Sequence, residues 1–261
     1  KKAVTQYKDF TIVDRDSLFK PKIFDRALYF KKGDVYNRTN HNLSLNRLVN
    51  LGVFKLVKNE FQPSLIEGNY LDAFYYLSPL EKKSFRFEVL AKTNSANYQG
   101  TELNINWSNR NTFRGAELLS ISIFGGYEVQ ISGQNNGYNV YRIGTEANLI
   151  WPRMISPIRF KMSNHFKTKT KATLGYEFQD RQQLYRLQTF KALFGYNWKE
   201  NARREHTLNI GEVIFARPQN VTQLYLDEVK LNPSLGKVIE RQLIFGPTYS
   251  YTYSNTAQRR K

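Results

Sequence analysis

The chain has 261 residues, enough for more than one small domain, and aromatic residues make up 15% of it, including 17 Tyr and 18 Phe. Disordered chains contain few aromatic residues, so this composition excludes a disordered protein. The mean hydropathy of −0.57 and the absence of an apolar run of roughly 18 residues exclude a protein that crosses a membrane with helices. They do not exclude a transmembrane β-barrel, whose strands alternate between apolar and polar residues.

Lys and Arg number 39 against 22 Asp and Glu, and this net charge of +17 favours polyanionic partners such as nucleic acid, anionic lipid or lipopolysaccharide. The main basic clusters, at residues 161–171, 203–204 and 259–261, fall at predicted turns or chain ends. The chain contains no Cys, which excludes disulfides, zinc held by Cys and thiol catalysis, and fits a bacterial envelope protein. It opens on Lys1-Lys2 without an initiator Met or an apolar leader, so we expect a mature chain or a fragment.

The first 81 residues mix helix and strand patterns. The predicted elements are a strand at residues 7–13, a helix at 21–29 opening on Pro21, a turn at 32–34, a helix at 40–51, and strands at 54–61 and 71–77. The second helix has apolar residues at helical spacing after a Thr39 or Asn40 cap, and Gly52 fits its C-terminus. The predicted order is therefore β-α-α-β-β, with a domain boundary near residues 78–81.

From about residue 82 onward, segments of alternating apolar and polar residues are separated by polar turns. In the first segment Phe85, Phe87 and Val89 alternate with Arg86 and Glu88. This alternation predicts antiparallel strands with one apolar and one polar face. About eight strands are predicted, near residues 84–92, 102–108, 119–131, 141–151, 172–179, 190–198, 206–215 and 242–253, the seventh being the weakest. Several reach the roughly 9 to 11 residues that a tilted strand needs to cross a membrane.

Two folds share this alternation. A soluble β-sandwich or lipocalin-like barrel turns its apolar face inward, whereas a membrane barrel turns it towards lipid. Long strands, and aromatic residues near strand ends such as Trp107, Trp151, Tyr196 and Trp198, favour the membrane barrel. Charged residues in mid-strand fit either fold.

Several stretches resemble one known family. The stretch at residues 30–36, with its Lys-Gly-Asp-Val-Tyr turn, and the stretch at 46–57 resemble a POTRA domain of the BamA/TamA outer-membrane assembly family. Residues 109–119 and 123–128 resemble the first periplasmic turn and third strand of the family's barrel, and 175–181 and 194–198 resemble later strands of TamA-like members. The order of these motifs along nearly the whole chain is what carries the resemblance.

The resemblance implies an α+β POTRA-like periplasmic domain over residues 1–81, followed over 82–261 by the N-terminal part of an antiparallel transmembrane β-barrel in the outer membrane of a Gram-negative bacterium. Family members resemble POTRA domains followed by a larger barrel, whereas about eight strands are predicted here. Their Val-Arg-Gly-Phe-type loop motif is also absent, and Arg114-Gly115 in the first turn is not its equivalent. We therefore expect a fragment, or a chain whose other half belongs to another polypeptide.

The function implied by the resemblance is the assembly and insertion of β-barrel proteins into the outer membrane. The family's first barrel strand forms one side of a lateral gate and maps to residues 83–93, with Phe85, Arg86, Phe87, Glu88 and Val89 as client-binding residues. An open strand edge in lipid has unpaired N–H and C=O groups, so an incoming strand gains hydrogen bonds there. An ordinary paired barrel strand is the alternative interpretation.

The POTRA-like strand offers a second edge, at Phe54, Lys55, Leu56 and Val57, for β-augmentation by client segments. A plain structural strand is the alternative. The partners implied by the resemblance are unfolded outer-membrane barrel clients, outer-membrane lipid or lipopolysaccharide, and accessory lipoproteins or an inner-membrane-linked partner.

No catalytic constellation is convincing, so we expect neither an enzyme nor a cofactor. Phosphate-loop, nucleophile-elbow and H-E-x-x-H motifs are absent, and His41, His165 and His206 lack metal-ligand spacing and fit surface or turn positions. Gly125-Gly126 indicates a bend or bulge, and Asn136-Gly137 a hairpin turn. The carboxylates that could form a glycosidase-like pair fit solvated positions on a polar face: Glu88, Glu102, Glu128 and Glu146.

Two other classes of protein stay open. One is a related outer-membrane barrel that secretes or translocates polypeptide or anchors an envelope complex. The other is a soluble basic β-protein that binds nucleic acid. The basic clusters do not alternate with exposed aromatic residues as a stacking platform requires, so we expect no nucleic-acid partner.

Overall fold

The computed structural model describes residues 4–14, 16–64, 70–93, 98–130, 139–156, 168–201 and 203–255. The predicted Asn136-Gly137 turn, His165 and most of the basic clusters at 161–171 and 259–261 lie outside the described residues. The helices are α1 (Lys22–Ala27), α2 (Arg38–Asn50) and α3 (Gln223–Leu231), with a 3₁₀ helix at Pro233–Ile239. The first four strands are β1 (Val4–Tyr7), β2 (Phe10–Val13), β3 (Phe54–Pro63) and β4 (Leu71–Pro79). The others are β5 (Lys83–Thr93), β6 (Tyr98–Arg110), β7 (Leu118–Gln130), β8 (Val140–Trp151), β9 (Thr168–Arg181), β10 (Tyr185–Lys199), β11 (Arg204–Gln219) and β12 (Gln242–Tyr253).

Strands β5 to β12 form one sheet in sequence order, each antiparallel to its neighbours. The eight strands predicted from alternation are confirmed. We call the end at which β5 begins the proximal end and the opposite end the distal end. Among the described residues β5 and β12 do not pair with each other, so the sheet keeps two open edges.

The irregularity of the sheet lies in β11 and not at the predicted glycine pair. Gly125 and Gly126 pair in unbroken register with both neighbouring strands, so the predicted bulge there is wrong. The register shifts instead between Asn209 and Glu212 of β11, where Ile210 is the extra residue. This bulge changes which residues of β11 face each side, and it explains why the alternation of this strand was the weakest.

Residues 4–80, which we call the N-terminal unit, begin with a hairpin instead of the single strand predicted at residues 7–13. Lys8 has a positive φ of 50°, and the chain turns there so that β1 pairs antiparallel with β2. The order is therefore β-β-α-α-β-β, and β1–β2 and β3–β4 form two separate two-stranded sheets.

The two helices of the N-terminal unit form close to where the sequence places them. Pro21 immediately precedes α1, as expected, but forms no side-chain cap hydrogen bond, and α1 ends at Ala27, short of the predicted 21–29. Helix α2 begins earlier than predicted. Its cap is Asn37 and not Thr39 or Asn40, because the extended backbone of Asn37 lets its side chain accept hydrogen bonds from the first free N–H groups. Gly52 has a positive φ of 71° after α2, as predicted.

The core of the N-terminal unit includes a residue from the turn that joins two strands of the large sheet, β6 and β7. Ala116, in the turn between β6 and β7 at residues 111–117, is 3% exposed and lies in the core. The unit's own residues in this core are Phe19, Ile23, Phe24, Ala27, Leu48, Val53 and Phe54. Asn111 Nδ2 donates to Leu18 O at 2.8 Å, and the Lys20 amide donates to Arg114 O at 2.8 Å. The turn is thus a docking turn that fixes the N-terminal unit to the proximal end of the sheet.

A helical segment that the sequence analysis did not predict joins β11 to β12 at the distal end. Tyr225 of α3 is 4% exposed and packs edge-on against Tyr185 of β10, with ring centroids 4.9 Å apart. Its hydroxyl donates to Leu235 O at 3.2 Å, which ties α3 to the 3₁₀ helix. Burial raises the pKa of Tyr225.

Candidate functional site: the edge strand and the two faces of the sheet

The strand that the resemblance maps to a lateral gate is an edge strand of the sheet. β5 pairs with β6 from Lys83↔Asn109 to Thr93↔Gln99 and has no second partner strand among the described residues. Its side chains alternate as expected, because Phe85 and Phe87 are 68% and 58% exposed on one side. Arg86 and Glu88 lie on the other side, with Nη1 and Oε1 3.5 Å apart.

The face of the sheet that bears Phe85, which we call the apolar face, is continuous across all eight strands. Residues paired in one row are Phe85, Trp107, Ile121, Ala147, Leu174, Ala192, Val213 and Phe245. Leu174 is 65% exposed and Phe245 is 71% exposed, so this row is not the interior of a closed core. A hydrophobic surface this extensive requires a covering partner or an apolar solvent.

Aromatic residues mark both ends of the apolar face. At the proximal end Trp198 stacks on His206, with ring centroids 5.0 Å apart, and His206 lies 5.2 Å from the ring of Tyr251. At the distal end the rings of Tyr127 and Tyr141 are 4.6 Å apart. The apolar face is therefore a band bordered by two aromatic rows.

The band crosses the rows of paired residues at an angle. Phe87 of β5 and Phe215 of β11 belong to one row and serve as reference points. From each of them towards the proximal end, the first charged residue on the apolar face marks the border of the band. This residue is Lys83 on β5 and Arg204 on β11. Between β5 and β11, and allowing for the bulge, this border moves by about six residues, or about 20 Å, along the strands. The six strand spacings between them amount to about 29 Å across the sheet. The strands are thus tilted by about 35° to the normal of the band.

The opposite face, which we call the polar face, is lined by cross-strand hydrogen bonds. Asn106 Nδ2 donates to Ser122 Oγ at 2.7 Å, and the hydroxyls of Ser84 and Ser108 are 2.9 Å apart. Further bonds connect Thr173 to Asn148 and Asn209 to Thr248. These hydrogen bonds connect neighbouring strands across this face.

An ion network on the polar face joins four strands near the distal end. Arg142 Nη2 lies 2.9 Å from Glu102 Oε2 and 3.4 Å from Glu128 Oε1, and Lys92 of the edge strand also pairs with Glu102. Gly126 stands between Glu102 and Arg142 in the row of paired residues. Because it has no side chain, the guanidinium can reach across it to the carboxylate. Sequence reasoning missed this role, and the only signal was the glycine itself.

The carboxylates considered for a glycosidase-like pair lie on the polar face. Glu102 and Glu128 share one arginine, Glu88 contacts Arg86, and Glu146 accepts a hydrogen bond from Asn148 at 2.6 Å. Each is bound to a cation or an amide.

The second predicted edge lies on β3. β3 pairs only with β4 among the described residues, and its register shifts between Phe54 and Leu56. Phe54 is buried in the core of the N-terminal unit, whereas Lys55 and Leu56 are exposed and Val57 is half-buried. The side chain of Phe54 is therefore not accessible to a client strand, whereas those of Lys55 and Leu56 are.

Polar contacts and burial shift the pKa values of ionisable groups in the N-terminal unit. A hydrogen bond of 2.6 Å to Asp25 raises the pKa of Lys8, and burial raises the pKa of Tyr75. His41 lies in α2 with its ring 5.3 Å from that of Phe61, and His206 lies in β11, so neither is in a turn. In the described part of the chain no group of three His, Asp or Glu residues is placed to hold a metal ion.

None of the described helices combines the length and the apolar character needed to cross a membrane. The fold and its surfaces define an antiparallel β-protein with an eight-stranded open sheet and few helices. No protein family matches the sequence, and a search of curated proteins finds no similar sequence. Among solved structures the chain is similar to CdiB from Acinetobacter baumannii, with 15% identity and a TM-score of 0.41. The match covers 89% of this chain and 46% of the CdiB chain, so the chain spans about half the length of that structure.

Proposed function

We propose that residues 83–253 form part of a β-barrel wall in a bacterial outer membrane, and that the chain takes part in inserting β-barrel proteins there. In this proposal the N-terminal unit is a POTRA-like domain on the periplasmic side. The observation that carries the proposal is the exposed apolar face of the eight-stranded sheet. It bears directly on the choice between a soluble and a membrane-embedded β-protein.

A soluble sandwich or lipocalin-like barrel would bury the apolar face and expose the polar one. Here Phe87, Leu174 and Phe245 are all more than half exposed, although they lie in mid-strand. Lipid is a solvent in which such a face is stable, and the hydrogen-bonded polar face then lines water.

The dimensions of the band also fit a bilayer. Tyr141 and Trp151 border it on β8 and are ten residues apart, which is about 33 Å along an extended strand. A tilt of about 35° reduces this to a thickness of about 27 Å, close to the apolar band of about 25 Å in outer-membrane barrels. Aromatic residues at both borders match the interfacial girdles of such barrels.

The insertion function rests on the open edge of β5. An edge strand in lipid leaves every second residue with an unpaired N–H and C=O, and each unsatisfied group costs several kcal/mol there. A client strand that pairs with β5 satisfies these groups and its own at the same time. Phe85, Phe87 and Val89 would keep the client's apolar side facing lipid, with Arg86 and Glu88 towards water.

The chain has no Cys, so single cysteines can report which strand a client contacts. We propose Val89→Cys in β5 and, as a matched control, Ile143→Cys in β8. Both lie in the same row of the apolar face, with 61% and 57% exposure, but β8 is paired on both sides. With the protein in lipid vesicles, an unfolded barrel client that carries one Cys and an added thiol oxidant that accepts the two electrons, we expect disulfide cross-links at position 89 and few at position 143.

The same experiment separates insertion from translocation. The polar face with its neutral ladder of Ser and Asn side chains also suits passage of a polypeptide, and a client in transit would cross-link to Ser120→Cys on that face. Equal cross-linking at positions 89 and 143 would contradict templating at the edge. Failure of the chain to float with vesicles, together with free solubility and salt-dependent binding of DNA, would favour the soluble nucleic-acid-binding alternative.

A further inference from the structure

Three arginines stand together at the distal border of the apolar face. Arg217 of β11 pairs with Gln188 of β10, and Arg186 of β10 pairs with Gln219, one step further towards the distal end. Arg241 immediately precedes β12, whose first residue, Gln242, pairs with Ala216, and one further step of the same antiparallel register would set Arg241 beside Arg217.

These arginines lie where the band ends. The next row towards the proximal end is Phe190, Phe215 and Leu243, all apolar. Strands are about 4.8 Å apart, and diagonal neighbours on one face are about 7 to 8 Å apart. Three long guanidinium side chains from adjacent strands can therefore reach one common group just above the apolar band.

The cluster carries unbalanced positive charge. Arg186 Nε lies 2.9 Å from Asp180 Oδ2 of β9, so this arginine is paired. Arg217 and Arg241 are exposed and form no ion pair within the described residues. Two unpaired guanidinium groups at the rim of an apolar surface indicate an anionic partner that is itself anchored in the apolar phase.

We propose that Arg217 and Arg241, with Arg186 beside them, bind the phosphate of a phosphorylated lipid headgroup in the leaflet at the distal end. This inference rests on the proposed membrane location and adds a lipid site to it. Guanidinium groups bind phosphate through paired N–H donors, and an acyl chain below the headgroup would pack against the apolar side chains of Phe190, Phe215 and Leu243. The ladder of Gln188 and Gln219 supplies further amide groups, with Gln219 Nε2 3.4 Å from Gln188 Oε1.

The test uses the full chain in detergent and measures bound lipid by native mass spectrometry. The probes are a bisphosphorylated lipid A, its dephosphorylated form and inorganic phosphate. The variant is Arg217→Gln/Arg241→Gln, and the matched control is Lys171→Gln/Lys191→Gln, which removes two positive charges from the polar face of β9 and β10. A basic residue at a membrane surface contributes about 1 kcal/mol, or about fivefold in binding, so we expect about 25-fold weaker retention in the arginine variant.

The control variant should retain phosphorylated lipid as the unmodified chain does, and neither inorganic phosphate nor the dephosphorylated lipid should be retained. Equal retention by the arginine variant, or equal retention of the dephosphorylated lipid, would overturn the lipid site. Flotation of both variants with neutral phosphatidylcholine vesicles keeps the two proposals distinguishable. A chain that floats but shows no preference for phosphate loses only this site, whereas a chain that does not float loses the membrane location as well.

Discussion

Placing a charge in the middle of the apolar face tests the orientation of the sheet directly. Halfway between the aromatic borders of β8, at Tyr141 and Trp151, lie Thr145 and Ala147, and Ala147 pairs with Ile121 of β7. Because the band shifts by about one residue for each strand spacing, Ile121 lies about two residues along β7, or about 5 Å in depth, from the middle of the band. Arginine facing lipid near the midplane costs about 2 to 4 kcal/mol, so Ile121→Arg should lower the folding equilibrium constant by about 30- to 700-fold.

The adjacent residue provides the control, because Ser120 lies on the polar face. Ser120→Arg should change the free energy of unfolding by less than about 1 kcal/mol, since its charge enters water. Urea titrations in lipid vesicles, followed by the fluorescence of Trp107, Trp151 and Trp198, measure both variants. Equal destabilisation at positions 120 and 121 would refute the assignment of the two faces.

Three further predictions concern other parts of the molecule. Gly144→Ala should destabilise the sheet by about 1 to 3 kcal/mol in urea titrations, because a Cβ there would lie 2.8 Å from a backbone carbonyl oxygen. Gly125→Ala, whose Cβ would lie 3.9 Å from the nearest atom, should be nearly neutral. Ala116→Asp should place an unpaired carboxylate in the core of the N-terminal unit and speed hydrogen exchange there while leaving β8 to β10 protected; protection unchanged in the unit would contradict the docking turn. A hydrogen bond from Lys230 lowers the pKa of Asp227 in α3, so this contact should be present above the ordinary value of 3.8 and be lost as the pH falls below it. An NMR titration in which the pKa of Asp227 is higher in the folded chain than in the unfolded chain would contradict the contact.

The strands were predictable because their signal is local. Side chains two residues apart on a strand share a face, so alternation in the sequence indicates both the strand and its sides. The signal weakened in β11 because the extra residue Ile210 reverses the parity, so that Leu208 and Val213 face the same side. A bulge of this kind depends on the partner strands and cannot be read from the strand alone.

The features that the sequence did not indicate depend on contacts between distant residues. α3 has a visible cap, since Thr222 Oγ1 accepts a hydrogen bond from the Tyr225 amide, but its packing needs Tyr185 of another element. The ion network likewise depends on register, which brings Glu102 within reach of Arg142, 40 residues further along the chain. The insertion of Ala116 into a core formed mainly by residues 19–54 has no sequence signature at all.

That insertion has a mechanical consequence. In the described part of the chain, the N-terminal unit is joined to the sheet through the covalent link into β5 and through the docking turn between β6 and β7. A force that pulls on the N-terminal unit is therefore transmitted to β6 and β7 as well as to β5. A rotation of the N-terminal unit about residues 80–82 would have to remove Ala116 from the core. The unit and the proximal end of the sheet should therefore move together as one rigid body.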